Sequence, residues 1–205
     1  MSKDELIDIV DLRGNILYSE SRHVAHQQSL LHRVVALLSI NEINGERYCL
    51  FSQRSSSKSN FPLKFDFLSS GHLTVGEEII DSTREFREEL GVDLTFSSLN
   101  FLGDFLLETD VSKKGKNFLV RELLSLFITK NISLPIFDQK EIEKIIYVKC
   151  RDLNLILLEG APYFTLLEGK LIESSELIKV NDFVPAKGNF YIDILSNVLE
   201  ISKAL

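Results

Sequence analysis

The sequence predicts one mixed α/β (α+β) domain, a mixed β-sheet with helices on both faces, opened by an N-terminal hairpin. Three observations predict it. Short apolar runs recur between turn signals, as strands require. Three stretches, residues 79–90, 153–158 and 191–205, carry helical spacing. The 205 residues are 44% hydrophobic and 26% charged, enough for one well-buried core and not clearly for two. The domain is therefore expected to span 1–205, with residues 1–30 as the hairpin extension. Fourteen Phe and no Trp suggest a core built on phenyl rings.

In chain order, residues 5–18 read as a hairpin turning at Arg13-Gly14-Asn15. Residues 33–41 and 47–53 read as strands joined by a turn at Asn44-Gly45. A loop, a helix and a second loop follow. Residues 99–107 and 117–129 read as strands around a polar loop at 113–116. Residues 145–148 form a short strand behind the acidic Glu141 and Glu143. Residues 153–158 and 191–205 have helical spacing, and 159–185 suit a small helix and a hairpin. No repeat and no long linker interrupts the chain.

Residues 71–92 carry the most chemistry. An α-helix turns about 100° per residue, so Ile79, Thr83, Phe86 and Leu90 form one stripe suited to a sheet. Glu85, Glu88 and Glu89 stand at i, i+3 and i+4 beside it and are neighbours. Clustered carboxylates repel unless a cation sits among them, and a hard divalent cation implies phosphate chemistry. Gly71 and Gly76 frame the loop before the helix, and Gly91 is placed to stop it. The plainer reading is an amphipathic helix with a solvated charged face.

The stretch resembles the Nudix box: Gly, five residues, Glu, seven residues, then Arg-Glu-apolar-x-Glu-Glu-x-Gly-apolar. Gly71 and Glu77 match its first half, and Arg84, Glu85, Phe86, Glu88, Glu89, Gly91 and Val92 its second. Only residues 78–83 separate Glu77 from Arg84, so the halves stand one residue too close. Flanking pieces resemble the Nudix branch related to isopentenyl diphosphate isomerase. They are Asp8 to Asp11 with Gly14-Asn15, His32-Arg33, Gln53-Arg54 with Lys58, Phe61-Pro62, Phe65-Asp66, Ser70-Gly71-His72, Glu141-Ile142 and Phe183 to Pro185. The resemblance implies an α/β/α sandwich of the Nudix type and Mg²⁺ or Mn²⁺ on Glu85, Glu88 and Glu89. It implies a small-molecule diphosphate held by Arg54, Lys58 and His72, with Glu85, Glu88 or Glu122 in proton transfer. Gly71, Glu77, Arg84 and Gly91 are then the structural part of the motif.

Each of these residues also has a plainer reading. Arg54 and Lys58 follow an apolar run in a Ser-rich loop, and are either a phosphate clamp or solvated charges. His23, His26 and His32 lie within ten residues and, with His72, are the only histidines. The resemblance to the isomerase implies a second metal on such histidines. The plainer reading puts His32 at a strand start and the others on the surface. Glu122 interrupts an apolar run and faces either a site or a partner such as Arg121. Cys49 and Cys150 lack metal-type spacing and read as reduced, buried thiols.

Net charge is −7, with no basic block, so a nucleic-acid surface is not expected. No apolar run approaches a membrane span or a signal region, and a cytoplasmic protein is the default expectation. A homodimer is left open. The expected function is metal-dependent hydrolysis of a nucleoside diphosphate derivative or another small organic diphosphate. Two alternatives stand beside it. An isomerase-like enzyme would need a cysteine where this chain has Ser69 and Ser70, and a serine hydroxyl is a far weaker acid. A catalytically inactive sensor of nucleotide or protein is the other, motivated by the shortened box.

Overall fold

The computed structural model describes residues 5–113, 115–133 and 137–204. The first hairpin forms as expected, from β1 (Leu6–Val10) and β2 (Ile16–Ser21). A six-residue helix, α1 (Arg22–Gln27), follows at once; the Ser21 hydroxyl accepts from the Val24 amide (3.4 Å) and so caps it. The next strands are β3 (His32–Ile43) and β4 (Glu46–Arg54), joined at Asn44-Gly45. Both turn residues have positive φ (53° and 76°), as the twist of a two-residue hairpin demands.

Then come two short strands, β5 (Phe65–Asp66) and β6 (Ser69–His72), and helix α2 (Thr83–Leu90). The strands β7 (Asn100–Lys113) and β8 (Lys116–Lys130) make a hairpin much longer than its apolar runs suggested; Lys114 lies outside the described residues. The last strands are β9 (Ile142–Lys149), β10 (Ala161–Leu167) and β11 (Lys170–Ile178), before helix α3 (Phe190–Ala204). Leu205 also lies outside the described residues. The helical spacing at 153–158 belongs to a 3₁₀ segment, Cys150–Leu157, and the 159–185 stretch holds the β10–β11 hairpin and a 3₁₀ turn, Val180–Asp182.

The sheet is mixed. Strands run β11-β10-β9-β4-β3-β1-β2, and β3 also pairs with β6 (antiparallel) and β8 (parallel). The pleat sorts β3 by parity. Val34, Ala36, Leu38 and Ile40 pack with Phe190, Ile194, Leu195 and Val198 of α3. Val35 and Leu37 share the opposite cluster with Phe86 and Leu90 of α2. Helices therefore do cover both faces. Phe86 and Leu90 are fully buried, contributing about 1.5–3 kcal/mol each.

The expected stripe differs at one end. Ile79–Ser82 is a 3₁₀ turn, and the α-helix begins only at Thr83. Asp81 accepts from the Glu78 amide (2.8 Å), and its own amide donates back to the Glu78 carbonyl (2.9 Å). A 3₁₀ turn rises about 2.0 Å per residue against about 1.5 Å in an α-helix. It spans the approach to the helix with fewer residues, which is how the chain absorbs the short spacing between Glu77 and Arg84. Cys49 and Cys150 are free and buried, as expected. Among the described residues, no helix is long and apolar enough to cross a membrane.

Candidate active site

Four elements bring four side chains to one point. In the parallel ladder His32 stands opposite Glu122, and β6 places His72 opposite Val34. Helix α1 lays Arg22 and His26, four residues apart, toward the same cavity. The ligand atoms of His26, His32, His72 and Glu122 all lie within 4.8 Å of one another. Glu122 Oε1 is 3.7 Å from Nε2 of both His32 and His72, and the Nε2 atoms of His26 and His72 are 3.3 Å apart. Metal–nitrogen bonds of about 2.0–2.1 Å need donors spaced in this way.

Protonation favours the same reading. His32 Nδ1 lies 2.9 Å from the Leu30 carbonyl, which can only accept. The proton therefore sits on Nδ1, leaving Nε2 as a bare lone pair. That atom is buried and, among the described residues, has no hydrogen-bond partner. A ring oriented by a carbonyl behind it is the usual support of a metal-bound histidine. Burial, then the neighbouring charges, holds His26 down at about 4 and His72 well below the ordinary range. Burial alone would raise the Glu122 carboxyl, but its neighbours, the Arg22 charge among them, hold it below its usual value. The donor set is thus three imidazoles and one carboxylate, which suits a borderline divalent transition metal better than Mg²⁺.

The second group lies on α2. Glu89 Oε2 accepts from the Ser69 hydroxyl (2.6 Å) and the Ser70 amide (3.1 Å), which fixes its carboxylate. Burial, partly offset by those two donors, lifts it to about 7. Glu85 lies against Gly71, where an added Cβ would come within 2.4 Å of its carboxyl carbon. Gly71 is thus the space that Glu85 occupies. Burial raises Glu85, and Arg84 offsets the shift from 3.0 Å away. Glu88 is different: 59% of its side chain is exposed, and it pairs with Arg84 at 3.3 Å.

Arg84 is committed to carboxylates. It donates to both Glu77 oxygens (2.7 and 2.9 Å) and reaches Glu85 and Glu88. Glu77 also accepts from the Thr74 amide (2.7 Å). The first half of the motif is thus anchored to the second despite the short spacing. Gly91 (φ 66°) closes the helix, its amide donating to the Arg87 carbonyl (2.9 Å).

A cavity of about 400 Å³ joins the two groups, with Arg54 and Lys58 also on its wall. Arg54 donates to the Asn60 carbonyl from Nε and Nη2 (3.3 and 3.2 Å) and to Asp66 from Nη1 (2.8 Å). Lys58 is ion-paired with Glu141. Both cations therefore face the site with carboxylate partners, and Arg54 also folds the 55–64 loop onto itself.

The structure thus gathers Glu85, Glu88, Glu89, Glu122, Arg54, Lys58 and His72 around one cavity. His72 sits in the histidine cluster, where a ligand role fits better than direct contact with phosphate. His26 and His32 join it, while His23 is exposed and outside the cluster. Sequence reasoning missed Arg22, Asp66 and Ser69. Asp66 was visible only as part of a flanking piece of the resemblance and Ser69 only as the place of an absent cysteine; nothing local marks Arg22.

No family model matches the sequence. A protein of Clostridium acetobutylicum named an uncharacterized Nudix hydrolase is 26% identical over 207 residues, covering 97% of this chain and 98% of that protein. A solved structure from Deinococcus radiodurans superposes with a TM-score of 0.57 at 24% identity, over 74% of this chain and 88% of that one. A MutT protein structure from Methanosarcina mazei gives 0.51 at 14% identity, over 84% and 96%. The mixed α+β fold, with its large sheet and few helices, is the one these neighbours share.

Proposed function

We propose that this chain belongs to the Nudix hydrolase superfamily, a reading its sequence relatives and its fold support, and that it hydrolyses a small organic diphosphate with divalent metal. The superfamily comprises enzymes acting on phosphorus-containing anhydrides, and relatives so named support that reaction class for this chain. The observation that carries the finer reading is the convergence of His26, His32, His72 and Glu122 on one buried point beside Glu85 and Glu89. These residues fit divalent cations: the imidazole cluster a transition metal such as Mn²⁺, the α2 carboxylates Mg²⁺ or Mn²⁺. When bound, such ions neutralise phosphate charge and lower the pKa of a water.

The protein's own groups divide the remaining work. Ser69 and the Ser70 amide hold Glu89 in one orientation, and Gly71 leaves Glu85 room to lie flat against the strand. Arg84 ties both halves of the motif together, its guanidinium engaged by Glu77, Glu85 and Glu88. Arg54 and Lys58 offer residual positive charge to the distal phosphate. In the reaction, water oxygen bonds to phosphorus while the bridging P–O bond breaks, its electron pair leaving with the bridging oxygen. Glu85, raised by burial, is positioned to take the proton from that water.

The test is phosphate or monophosphate release from a panel of nucleoside di- and triphosphates, sugar nucleotides, dinucleoside polyphosphates, coenzyme A, NAD and simple organic diphosphates. The panel is run with Mg²⁺, with Mn²⁺ and with chelator. Metal-dependent cleavage of one class is the expected result. Metal binding without cleavage of any member would overturn the hydrolase reading.

A further inference from the structure

We propose that Arg33 is a positioning residue, which holds Glu77 from behind β3 and through it sets Arg84 and Glu85; this rests on the metal reading of the α2 carboxylates above. Val34 lines the cavity. The pleat of β3 therefore sends Arg33 and Val35 to the opposite face, where Val35 packs in one cluster with Phe86 and Leu90 of α2. The Arg33 side chain is 13% exposed. One of its nitrogens, Nη2, donates to Asp8 Oδ2 (3.0 Å) and to the Glu77 carbonyl oxygen (2.9 Å).

The two contacts differ in kind. Asp8 is buried on β1, and its other oxygen accepts from the Ser19 hydroxyl of β2 (2.9 Å). It is thus tied to both strands of the first hairpin and gives Arg33 a fixed counter-charge. The contact with Glu77 reaches into the motif itself. Arg84 and the Thr74 amide engage the Glu77 carboxylate, and Arg33 takes the Glu77 carbonyl. Glu77 is therefore held by main chain and side chain at once. Arg84 in turn pairs with Glu85 and Glu88. Only residues 78–83 separate Glu77 from Arg84, and their 3₁₀ turn has little slack to absorb a shift of Glu77. Arg33 Nε is buried and, among the described residues, has no hydrogen-bond partner. An unmet buried donor is costly. The two Nη2 contacts outweigh that cost and decide where the head group lies.

The experiment titrates Mn²⁺ into the chelator-treated full chain and follows its oxygen-coordinated site by electron paramagnetic resonance. Wild type, Arg33→Met, Arg33→Lys and Asp8→Asn are compared, with the thermal midpoint of each metal-free protein measured beside the titration. Arg33→Met is expected to weaken the oxygen-coordinated site by about tenfold or more. Arg33→Lys should recover most of that loss, because one ammonium reaching the place of Nη2 has donors for both oxygens. Asp8→Asn should lower the midpoint and leave the affinity near that of wild type, since the bond to the Glu77 carbonyl stays. Wild-type affinity in Arg33→Met overturns the proposal. So does equal weakening in Arg33→Met and Asp8→Asn, which would trace the effect to the lost ion pair alone. If Arg33→Met fails to fold because Asp8 is left buried and unpaired, the double variant Asp8→Asn/Arg33→Met is titrated against Asp8→Asn, with the same tenfold weakening expected and equal affinities overturning the proposal. Absence of an oxygen-coordinated Mn²⁺ site in the wild type overturns the metal reading of the α2 carboxylates, and the role of Arg33 falls with it.

Discussion

The histidine cluster and the α2 carboxylates face one cavity and are built on opposite principles. His26, His32, His72 and Glu122 come from α1, β3, β6 and β8, so the fold itself brings them together. The His32 and His72 imidazoles are buried and that of His26 half-buried; burial holds His26 and His72 neutral, and a carbonyl already orients His32. Glu85, Glu88 and Glu89 come from five consecutive residues, and local geometry alone would make them equivalent neighbours. The environment makes them unequal. Glu89 is locked by Ser69, Glu85 fits into the space of Gly71, and Glu88 stands mostly in solvent with Arg84. A tertiary cluster carries its preorganisation in its placement; a motif on one helix has to obtain it from what packs around the helix.

The largest effects test that contrast. Glu89→Gln should lower kcat by about 10³-fold or more, since it removes a held carboxylate from the site, with the far-UV circular dichroism unchanged. Glu88→Gln should cost only about tenfold, because its exposed carboxylate is not preorganised. Equal losses in steady-state assays would show that the burial difference on α2 is irrelevant to catalysis. Next is Gly71→Ala, expected to lower kcat by about 10–100-fold through displacement of Glu85. The added methyl meets the far end of a side chain rather than backbone, so the thermal midpoint should move little. A large fall in the midpoint without loss of kcat would contradict the role given to that space.

The fold was legible because its signals are local. Asn44-Gly45 marks its turn by its own backbone needs, and parity along β3 assigns its faces. The α2 triad was legible for the same reason. What stayed hidden depends on distant partners. The short approach to α2 is a 3₁₀ turn, which spacing alone could not distinguish from a helix with a deletion. Ser69 reads only as a replacement for a cysteine until Glu89 arrives twenty residues later and takes its hydroxyl. The histidines were visible as a group, but only the β3–β6 and β3–β8 ladders bring His32, His72 and Glu122 together.

Smaller effects sharpen the comparison through pH. In the metal-free protein, His26 sits at about 4 and His72 well below its usual value. The unfolded chain, near 6.5 at each histidine, takes up protons first as pH falls. Stability from these residues is therefore complete above about pH 6.5 and is lost on acidification toward about pH 4. The thermal midpoint in chelator should drop between pH 7.5 and 5, and His26→Gln should shrink that drop. A drop of the same size in the variant would mean that the cluster is not held neutral. Ser69→Ala should have the smallest effect of the series, about tenfold in kcat, and should lower Glu89's contribution without touching metal binding by the histidines.

The most direct test of the account is equilibrium titration of Mn²⁺ into chelator-treated wild-type, His32→Gln and Glu89→Gln proteins, read by electron paramagnetic resonance. Two separable centres predict that His32→Gln loses a nitrogen-coordinated site that Glu89→Gln retains. Binding of Mn²⁺ to His32→Gln with the affinity and nitrogen coordination of the wild type would contradict it.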